Sequence, residues 1–268
     1  MSKDRKLSPN GITDGVIWEQ LLLFFFPIVL GTFFQQLYNT ADAIIVGKFV
    51  GKEALAAVGG TTGTLINLLV GFFVGLSSGA SVIISQFYGA RKADDVSRAV
   101  HTTMALAVTS GALLTVTGIL FSEKVLWMMG TPAEVMEYAV TYIRIYFLGM
   151  IPSLIYNIGS GILRAVGDSR RPLFFLIAAT MTNIVLDIVM VVVFPLGVAG
   201  AALATVIAQF ISVVVCLIYL IKKRAFLMVK PRDFKFTASS TAELLSAGCG
   251  MALMYSIVDI GSIVLQNG

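Results

Sequence analysis

The stretch "QQLYNTADAIIVGKFVG", residues 35–51, places an acid inside a run that otherwise suits a lipid bilayer. Immediately upstream, residues 21–34 read "LLLFFFPIVLGTFF" and carry no charge. A carboxylate at membrane depth costs roughly 2.5–3.5 kcal/mol on insertion scales. Asp42 therefore indicates a transmembrane helix that contacts an ion, a substrate or a proton near its middle.

The composition of the whole chain is that of an integral membrane protein. Its 268 residues are 57% hydrophobic and 13% charged, whereas soluble domains carry about 25% charged residues. A helix needs about 20 apolar residues to cross a bilayer. Six complete spans are predicted, and a seventh begins near Thr241; the six are residues 17–46, 54–86, 96–121, 133–163, 172–194 and 197–221. The expected fold is an all-α membrane lobe of six helices plus one further helix.

The charges in the loops predict the orientation of these spans. Fifteen of the 19 Lys and Arg residues lie in the N-terminal tail or in the connections after the second, fourth and sixth spans. Only Lys48, Lys52 and Lys124 lie on the other side, and Arg144 falls inside the fourth span. Because Lys and Arg are enriched in cytoplasmic loops, the N-terminus is expected to be cytoplasmic in a multi-pass protein.

The same pattern divides the chain into four parts. They are a cytoplasmic tail (1–16), a six-helix lobe (17–221), a basic cytoplasmic linker (222–240) and a seventh helix (241–268). The linker orients the protein, and its basic residues are also suited to contact anionic membrane lipid.

Polar residues inside the spans are the candidate functional groups. Gln35, Tyr38 and Asp42 follow i, i+3, i+7 spacing and share one stripe of the first helix. The later spans contribute Tyr142, Arg144, Tyr146, Asn157, Asn183, Asp187 and Thr205. Interhelical hydrogen bonding is an alternative role for the amides and hydroxyls, but it explains two mid-span carboxylates less well.

Proline and the reactive residue types complete this inventory. Pro27 and Pro152 are expected to kink their helices, since each removes a backbone hydrogen bond. His101 is the only histidine and is read as an interfacial side chain, while the two cysteines lie in apolar runs. Because no Walker sequence or His-rich motif occurs, neither an enzyme with a cofactor nor an ATP-driven pump is expected. A nucleic-acid partner is not expected either.

Five blocks of sequence have a familiar arrangement. They are "PIVLGTFFQQLYNTADAIIVGKFVG" with "ALAAVG" after it, "SQFYGARKADDVSRAVHT", "MGTPAEVMEYAVTYIRIYFLG", "GILRAVGDSRRP" and "TNIVLDIVMV". Together they resemble the multidrug and toxic compound extrusion (MATE) transporters, in order and over nearly the whole chain. The branch that looks closest contains the DinF-type and archaeal members.

The resemblance implies a fold and a function. The family has twelve helices in two pseudo-symmetric lobes, and the cleft between the lobes opens to each side of the cytoplasmic membrane in turn. Its substrates are amphipathic organic cations, which leave in exchange for Na⁺ or H⁺. The coupling site carries over onto Asp42, Asn183, Asp187 and Thr205, and the two carboxylates are the expected metal ligands if the ion is Na⁺.

The resemblance also implies a substrate cavity and a bending point. The cavity positions are Tyr38, Tyr142 and Asn157, joined by Gln35 of the same stripe as Tyr38. Pro27 takes the position of the family's kinking proline.

Two rival functions stay open at the level of sequence. One is a flippase for lipid-linked precursors, whose cleft would carry basic residues. The other is a non-transporting membrane subunit, because the chain ends one helix into the second lobe and the missing lobe has to come from a longer chain or a second copy. Asp259, in that seventh helix, departs from the family pattern.

Overall fold

The computed structural model describes residues 17–223 and scattered positions between 246 and 257. The predicted tail, nearly all of the linker, and Asp259 lie outside the described residues. The helices are α1 (Ile17–Phe49), α2 (Lys52–Gly59), α3 (Thr61–Gly89), α4 (Ala93–Met128), α5 (Ala133–Leu148), α6 (Met150–Ala165), α7 (Arg170–Asp187) and α8 (Gly197–Lys223), with a π-helical turn (Ile188–Val193) after α7.

The described part of the chain is a helical membrane lobe, as predicted. Five helical segments are long and apolar enough to cross a membrane, and the bent pair α5–α6 provides a sixth span. Residues 17–223 contain no β-strand. In a bilayer this is expected, because a helix satisfies all of its backbone hydrogen bonds within one segment.

The second span differs from its prediction, because it is two helices rather than one continuous run. α2 ends at Gly59, and α3 begins at Thr61. Paired glycines weaken a helix, and at Gly60 a Cβ atom would lie 2.4 Å from the carbonyl oxygen of Ala56. Only glycine fits at this break, which leaves α2 as a short separate helix that contacts α1, α3 and α5.

The fourth span is bent, as the sequence predicts, but its break lies at Gly149 rather than at Pro152. α5 and α6 meet there at 53°. Pro152 is the third residue of α6 and has no N–H to donate to the carbonyl of Leu148. The helix therefore breaks one turn before the proline.

Helix packing brings α1, α7 and α8 together along one side of the lobe. α1 lies along α7, and α7 lies along α8. α4 packs against α5 and α6, and α8 also contacts α5 and α6. One apolar cluster contains Val46, Leu126 and Ile143, and a second contains Ile84 and Leu163. The two clusters anchor opposite ends of the bundle and hold the spans in register.

A polar lock joins the loop before α7 to the far end of α8. Gly167 has a φ of 86°, a turn conformation that favours glycine. The next residue, Asp168, accepts a hydrogen bond from the Arg171 guanidinium at 2.9 Å and one from the Tyr219 hydroxyl at 3.3 Å. The guanidinium also lies 5.2 Å from the centre of the Tyr219 ring. These contacts fix the start of α7 against α8.

We expect Gly118→Ala to destabilise the joint between α4 and α5. A Cβ atom at Gly118 would lie 2.4 Å from the ring of Phe147, which is buried. Forcing that ring aside should lower the free energy of unfolding by about 1–3 kcal/mol. The melting temperature in detergent should fall accordingly. Gly89→Ala is the matched control, since no atom lies within 4 Å of its added methyl group. Equal melting of the two variants would contradict this packing.

Candidate functional site

Three polar stripes on neighbouring helices meet within the lobe. Asp42 lies on α1, Asn183 and Asp187 lie on α7, and Thr205 lies on α8. Asn183 and Asp187 are 0% exposed, Thr205 is 2% exposed and Asp42 is 5% exposed. The structure therefore brings the four predicted coupling residues into one buried region, although their role in coupling stays a prediction.

The polar atoms of this region lack hydrogen-bond partners among the described residues. In that part of the chain, both carboxylate oxygens of Asp187, both polar atoms of the Asn183 amide, Oδ1 of Asp42 and the Thr205 hydroxyl are buried and unpaired. Most buried polar groups in proteins are hydrogen-bonded, and an unpaired one costs about 1–3 kcal/mol. So many unpaired oxygens in one place indicate a site that binds something.

Aromatic side chains border the Asp42 carboxylate. The Tyr142 hydroxyl points at Oδ2 of Asp42 from 3.5 Å, which is the long limit of a hydrogen bond. The Tyr142 ring stacks on that of Tyr146, with centroids 6.3 Å apart. The Tyr38 hydroxyl faces Thr205 without the geometry of a hydrogen bond. Asp42 therefore has weak polar neighbours and keeps one oxygen unpaired.

Arg144 does not neutralise these acids. Its guanidinium donates to the Ser122 hydroxyl at 3.2 Å and contacts the Glu123 carboxylate at 3.4 Å. Both charges of that pair are largely exposed. Among the described residues, the acid that Arg144 pairs with is therefore Glu123 of α4. The Asp42 and Asp187 carboxylates are close enough to interact electrostatically, and among the described residues no salt bridge compensates either of them.

A cavity of about 440 Å³ opens beside this region. Gln35, Tyr38, Tyr142 and Asn157, which the sequence assigned to the cavity, all line it, and so does Pro27. Its volume lies within the range of ligand pockets, about 300–1,000 Å³. The cavity therefore has both the size and the polar groups of a binding site for a small molecule.

The coupling residues form two layers with respect to the cavity. Asp42 and Thr205 line its wall, whereas Asn183 and Asp187 lie behind that wall and are fully buried. Asp42 therefore faces the cavity and also belongs to the buried group of oxygens. This shared position is the central geometric feature of the site.

Several lining residues escaped the sequence analysis. They are Asn39, Asn67, Ser153, Tyr156, Ser160, Thr180, Gln209 and Ser212. Spacing held a signal for six of them, because each lies three, four or seven residues from a predicted residue of the same helix and so shares its face. These six are Asn39, Ser153, Ser160, Thr180, Gln209 and Ser212. Asn67 and Tyr156 lie on faces that only the packing of the helices identifies.

The backbone around Asp187 and Pro27 is also informative. Asp187 is the last residue of α7, directly before the π-helical turn, whose bonds include Phe194 N–H to the carbonyl of Val189. Single π turns inside helices are frequent at functional sites. α1 continues as a helix through Pro27, so the predicted kink there stays a prediction.

The donor types decide which ion suits the site. Carboxylate, amide and hydroxyl oxygens are hard ligands of the kind that alkali and alkaline-earth cations prefer. Within the described residues, no group of three or more His, Cys, Asp or Glu side chains is placed to hold a metal. The residues present fit a small hard cation or a proton better than a transition metal.

Comparison with known proteins identifies the family. The MatE family model matches residues 27–189, and the chain belongs to the MATE family. It is 34% identical over 212 residues to a probable multidrug resistance protein, YoeA, of Bacillus subtilis, covering 78% of this chain and 46% of that protein. It is 27% identical to DNA damage-inducible protein F of Escherichia coli, covering 77% and 44%.

The fold is similar to solved structures of this family. One of them is an outward-facing conformation of a multidrug resistance MATE family transporter. It is 26% identical with a TM-score of 0.89, and the match covers 98% of this chain and 58% of that one. The chain spans about half the length of the curated relatives it matches.

Two buried aspartates should respond in opposite ways to loss of charge. Asp187→Asn should raise the melting temperature of the protein in Na⁺-free buffer at pH 8, because it removes a buried charge without a hydrogen-bond partner. Asp168→Asn should lower the melting temperature, because Asp168 loses charged contacts with Arg171 and Tyr219. The free energy of unfolding should fall by about 1–3 kcal/mol. Destabilisation by both substitutions would mean that Asp187 already has a compensating partner.

Proposed function

We propose that the chain is one lobe of an antiporter that exports amphipathic organic cations across the cytoplasmic membrane in exchange for Na⁺ or H⁺. The observation that carries this proposal is the double placement of Asp42, which lines the cavity and also belongs to the buried oxygen group that includes Asp187. Membership of the MATE family supports it. The described side of the cleft faces its substrate with an acid and several aromatic hydroxyls.

The exchange of cations follows from the repulsion between two carboxylates. In a buried region Asp42 and Asp187 cannot both remain charged at low cost. Binding of Na⁺, or one proton on the pair, relieves this repulsion, and Asn183 and Thr205 offer neutral oxygens nearby. A bound cation therefore stabilises the pair, and the return of the drug favours release of that cation.

The drug competes for the same carboxylate from the cavity side. An organic cation in the cavity is held by the negative charge of Asp42 and by the faces of Tyr142 and Tyr146, since aromatic rings attract cations. Once the coupling cation neutralises Asp42, this attraction weakens. Entry of the ion and retention of the drug are therefore mutually exclusive.

Movement of α1 would convert this competition into transport. Pro27 lies inside α1 and lines the cavity, and proline leaves a backbone carbonyl of the preceding turn without its donor. Attraction of the Asp42 stripe towards α7 would bend α1 at this weak point. The bend would narrow the cavity and expel the drug.

Each rival function predicts features that can be compared with the residues of the described cavity. A flippase for lipid-linked precursors needs several basic groups that bind pyrophosphate. Among the described lining residues, Arg164 is the one Lys or Arg, and Asp42 lies farther along the cavity. A half-length subunit that does not transport would not account for the unpaired buried oxygens of Asp42 and its neighbours. Cation export accounts for both observations.

Partners and topology complete the proposal. A second lobe, on the same chain or on a second copy, supplies the other wall of the cleft. The N-terminus lies in the cytoplasm, because the described ends of α3, α4, α6 and α7 on that side carry Arg91, Lys92, Arg98, Arg164, Arg170 and Arg171. Membrane lipid surrounds the apolar outer faces.

Asp42→Asn and Asp187→Asn should each abolish coupled efflux in a two-lobed chain while insertion stays normal. Each removes a charge on which cation exchange depends, and Asp42→Asn should also weaken drug binding. Efflux from a drug-sensitive bacterium that lacks other pumps, measured across ranges of pH and Na⁺, tests this. Asp95→Asn is the control, because its side chain lies at the start of α4, paired with Arg98. Wild-type efflux by both site variants would remove Asp42 and Asp187 from the coupling mechanism.

Residues 1–268 expressed alone should confer no drug resistance. One lobe forms only one wall of a cleft, so the chain should insert and bind cation without transporting drug. Uptake by reconstituted, strictly monomeric protein would contradict the need for a second lobe. Uptake that requires a dimer would mean that two copies replace the two lobes.

A further inference from the structure

The cavity extends beyond the four coupling residues towards the loop between α6 and α7. Two hydroxyls line this inner part, Thr180 Oγ1 on α7 and Ser160 Oγ on α6. Thr180 is 0% exposed and Ser160 is 2% exposed, and neither hydroxyl has a hydrogen-bond partner within the part of the chain that the structure describes. Neither has a role in the coupling site described above.

Their position lies between the acids and the cytoplasmic end of the lobe. Thr180 precedes Asp187 by seven residues, which is two turns and about 10 Å along the same face of α7. Ser160 lies four residues before Arg164, which lines the inner end of the cavity together with Ser169. The two hydroxyls therefore lie at the cavity wall between the depth of Asp187 and the cytoplasmic end of the lobe.

Their lack of partners is not the usual state of a hydroxyl in a helix. Thr182, only two residues beyond Thr180 on α7, donates to the carbonyl of Ala178 at 2.8 Å. Ser212 and Thr103 likewise donate to carbonyls four residues earlier. This local bond is the ordinary way for a buried Ser or Thr to satisfy its hydroxyl. Thr180 does not make it, so its oxygen keeps an unused hydrogen-bonding capacity at the cavity wall.

The neighbouring tyrosine does not remove this availability. The Tyr156 hydroxyl approaches Ser160 but donates to the carbonyl of Pro172 at 3.2 Å. Its contact with Ser160 lacks the geometry of a hydrogen bond. That tyrosine ties α6 to α7 and so fixes the spacing of the two walls that carry the hydroxyls.

We propose that Thr180 and Ser160 form a neutral transit site for the coupling cation between the Asp42–Asp187 pair and the cytoplasm. This inference rests on the proposed antiport function. Hydroxyl oxygens can ligate Na⁺ or hydrogen-bond a hydrated proton without adding a charge, so they bind a monovalent cation weakly. Passage requires sites that a cation enters readily and also leaves.

The test separates binding of the cation from its release. Thr180→Val, which keeps the shape and removes the hydroxyl, should leave the rise in melting temperature caused by Na⁺ or by protons unchanged. In proteoliposomes of a two-lobed chain it should slow drug transport by about three- to tenfold, the effect of losing one hydrogen bond to the moving ion. Transport is driven in separate experiments by a Na⁺ gradient and by a pH gradient, which shows which cation uses the site. Thr180→Ser should restore the rate.

Thr62→Val is the matched control. Thr62 is also 0% exposed with an unpaired hydroxyl, but it does not line the cavity. Its substitution should leave the transport rate unchanged. Ser160→Ala is a second variant of the transit site and should slow transport in the same way. It keeps the test possible if Thr180→Val fails to fold.

Three results would overturn the transit site. They are wild-type rates in both Thr180→Val and Ser160→Ala, equal slowing by Thr62→Val, and loss of the cation-dependent rise in melting temperature in Thr180→Val, which would place Thr180 in the coupling site itself. Asp187→Asn distinguishes this from failure of the antiport function. If Asp187→Asn transports drug normally, the coupling proposal fails. If Asp187→Asn loses transport while Thr180→Val and Ser160→Ala both keep wild-type rates, only the transit site is ruled out.

Discussion

The structure depends on two carboxylates that are buried without a compensating cation in the described part of the lobe. Asp42 and Asp187 come from helices that lie against each other, and their electrostatic interaction is unfavourable when both are charged. The nearby Asn183 and Thr205 add polar atoms that also lack partners. An arrangement this costly persists only because surrounding helices hold it, and it is stabilised by any cation or proton that enters.

The scaffold holds these groups through small residues and two helix breaks. The break at Gly60 separates α2 from α3, and the bend at Gly149 turns α6 away from α5, the helix that carries Tyr142. At the other end, Asp168 ties the start of α7 to α8 through Arg171 and Tyr219. α7 is therefore fixed at its first turn, while its last residue, Asp187, leads into a π-helical turn. α7 is thus held in place at its start and has irregular backbone hydrogen bonding after its last residue.

Much of this could be predicted from the sequence, and the failures have physical causes. Apolar length predicted the spans, and the spacing of Gln35, Tyr38 and Asp42 predicted one polar face, because both depend on local periodicity. The break at Gly60 depends on the approach of one carbonyl, and the partner of Arg144 depends on how α4 and α5 pack. The free hydroxyl of Thr180 differs from that of Thr182 only in its surroundings, which no local pattern records.

In the antiport function proposed above, the two layers of the site would let one acid respond to two ligands. A carboxylate wholly inside the cavity would sense only the drug, and one wholly behind the wall would sense only the cation. Asp42 lies at the boundary, with Asp187 behind it and the cavity in front. A ligand can shift an equilibrium only through a difference in its interactions with two states. If both ligands act on the charge of Asp42, as proposed, each changes the affinity for the other by the same factor, and exchange would follow without direct contact between them.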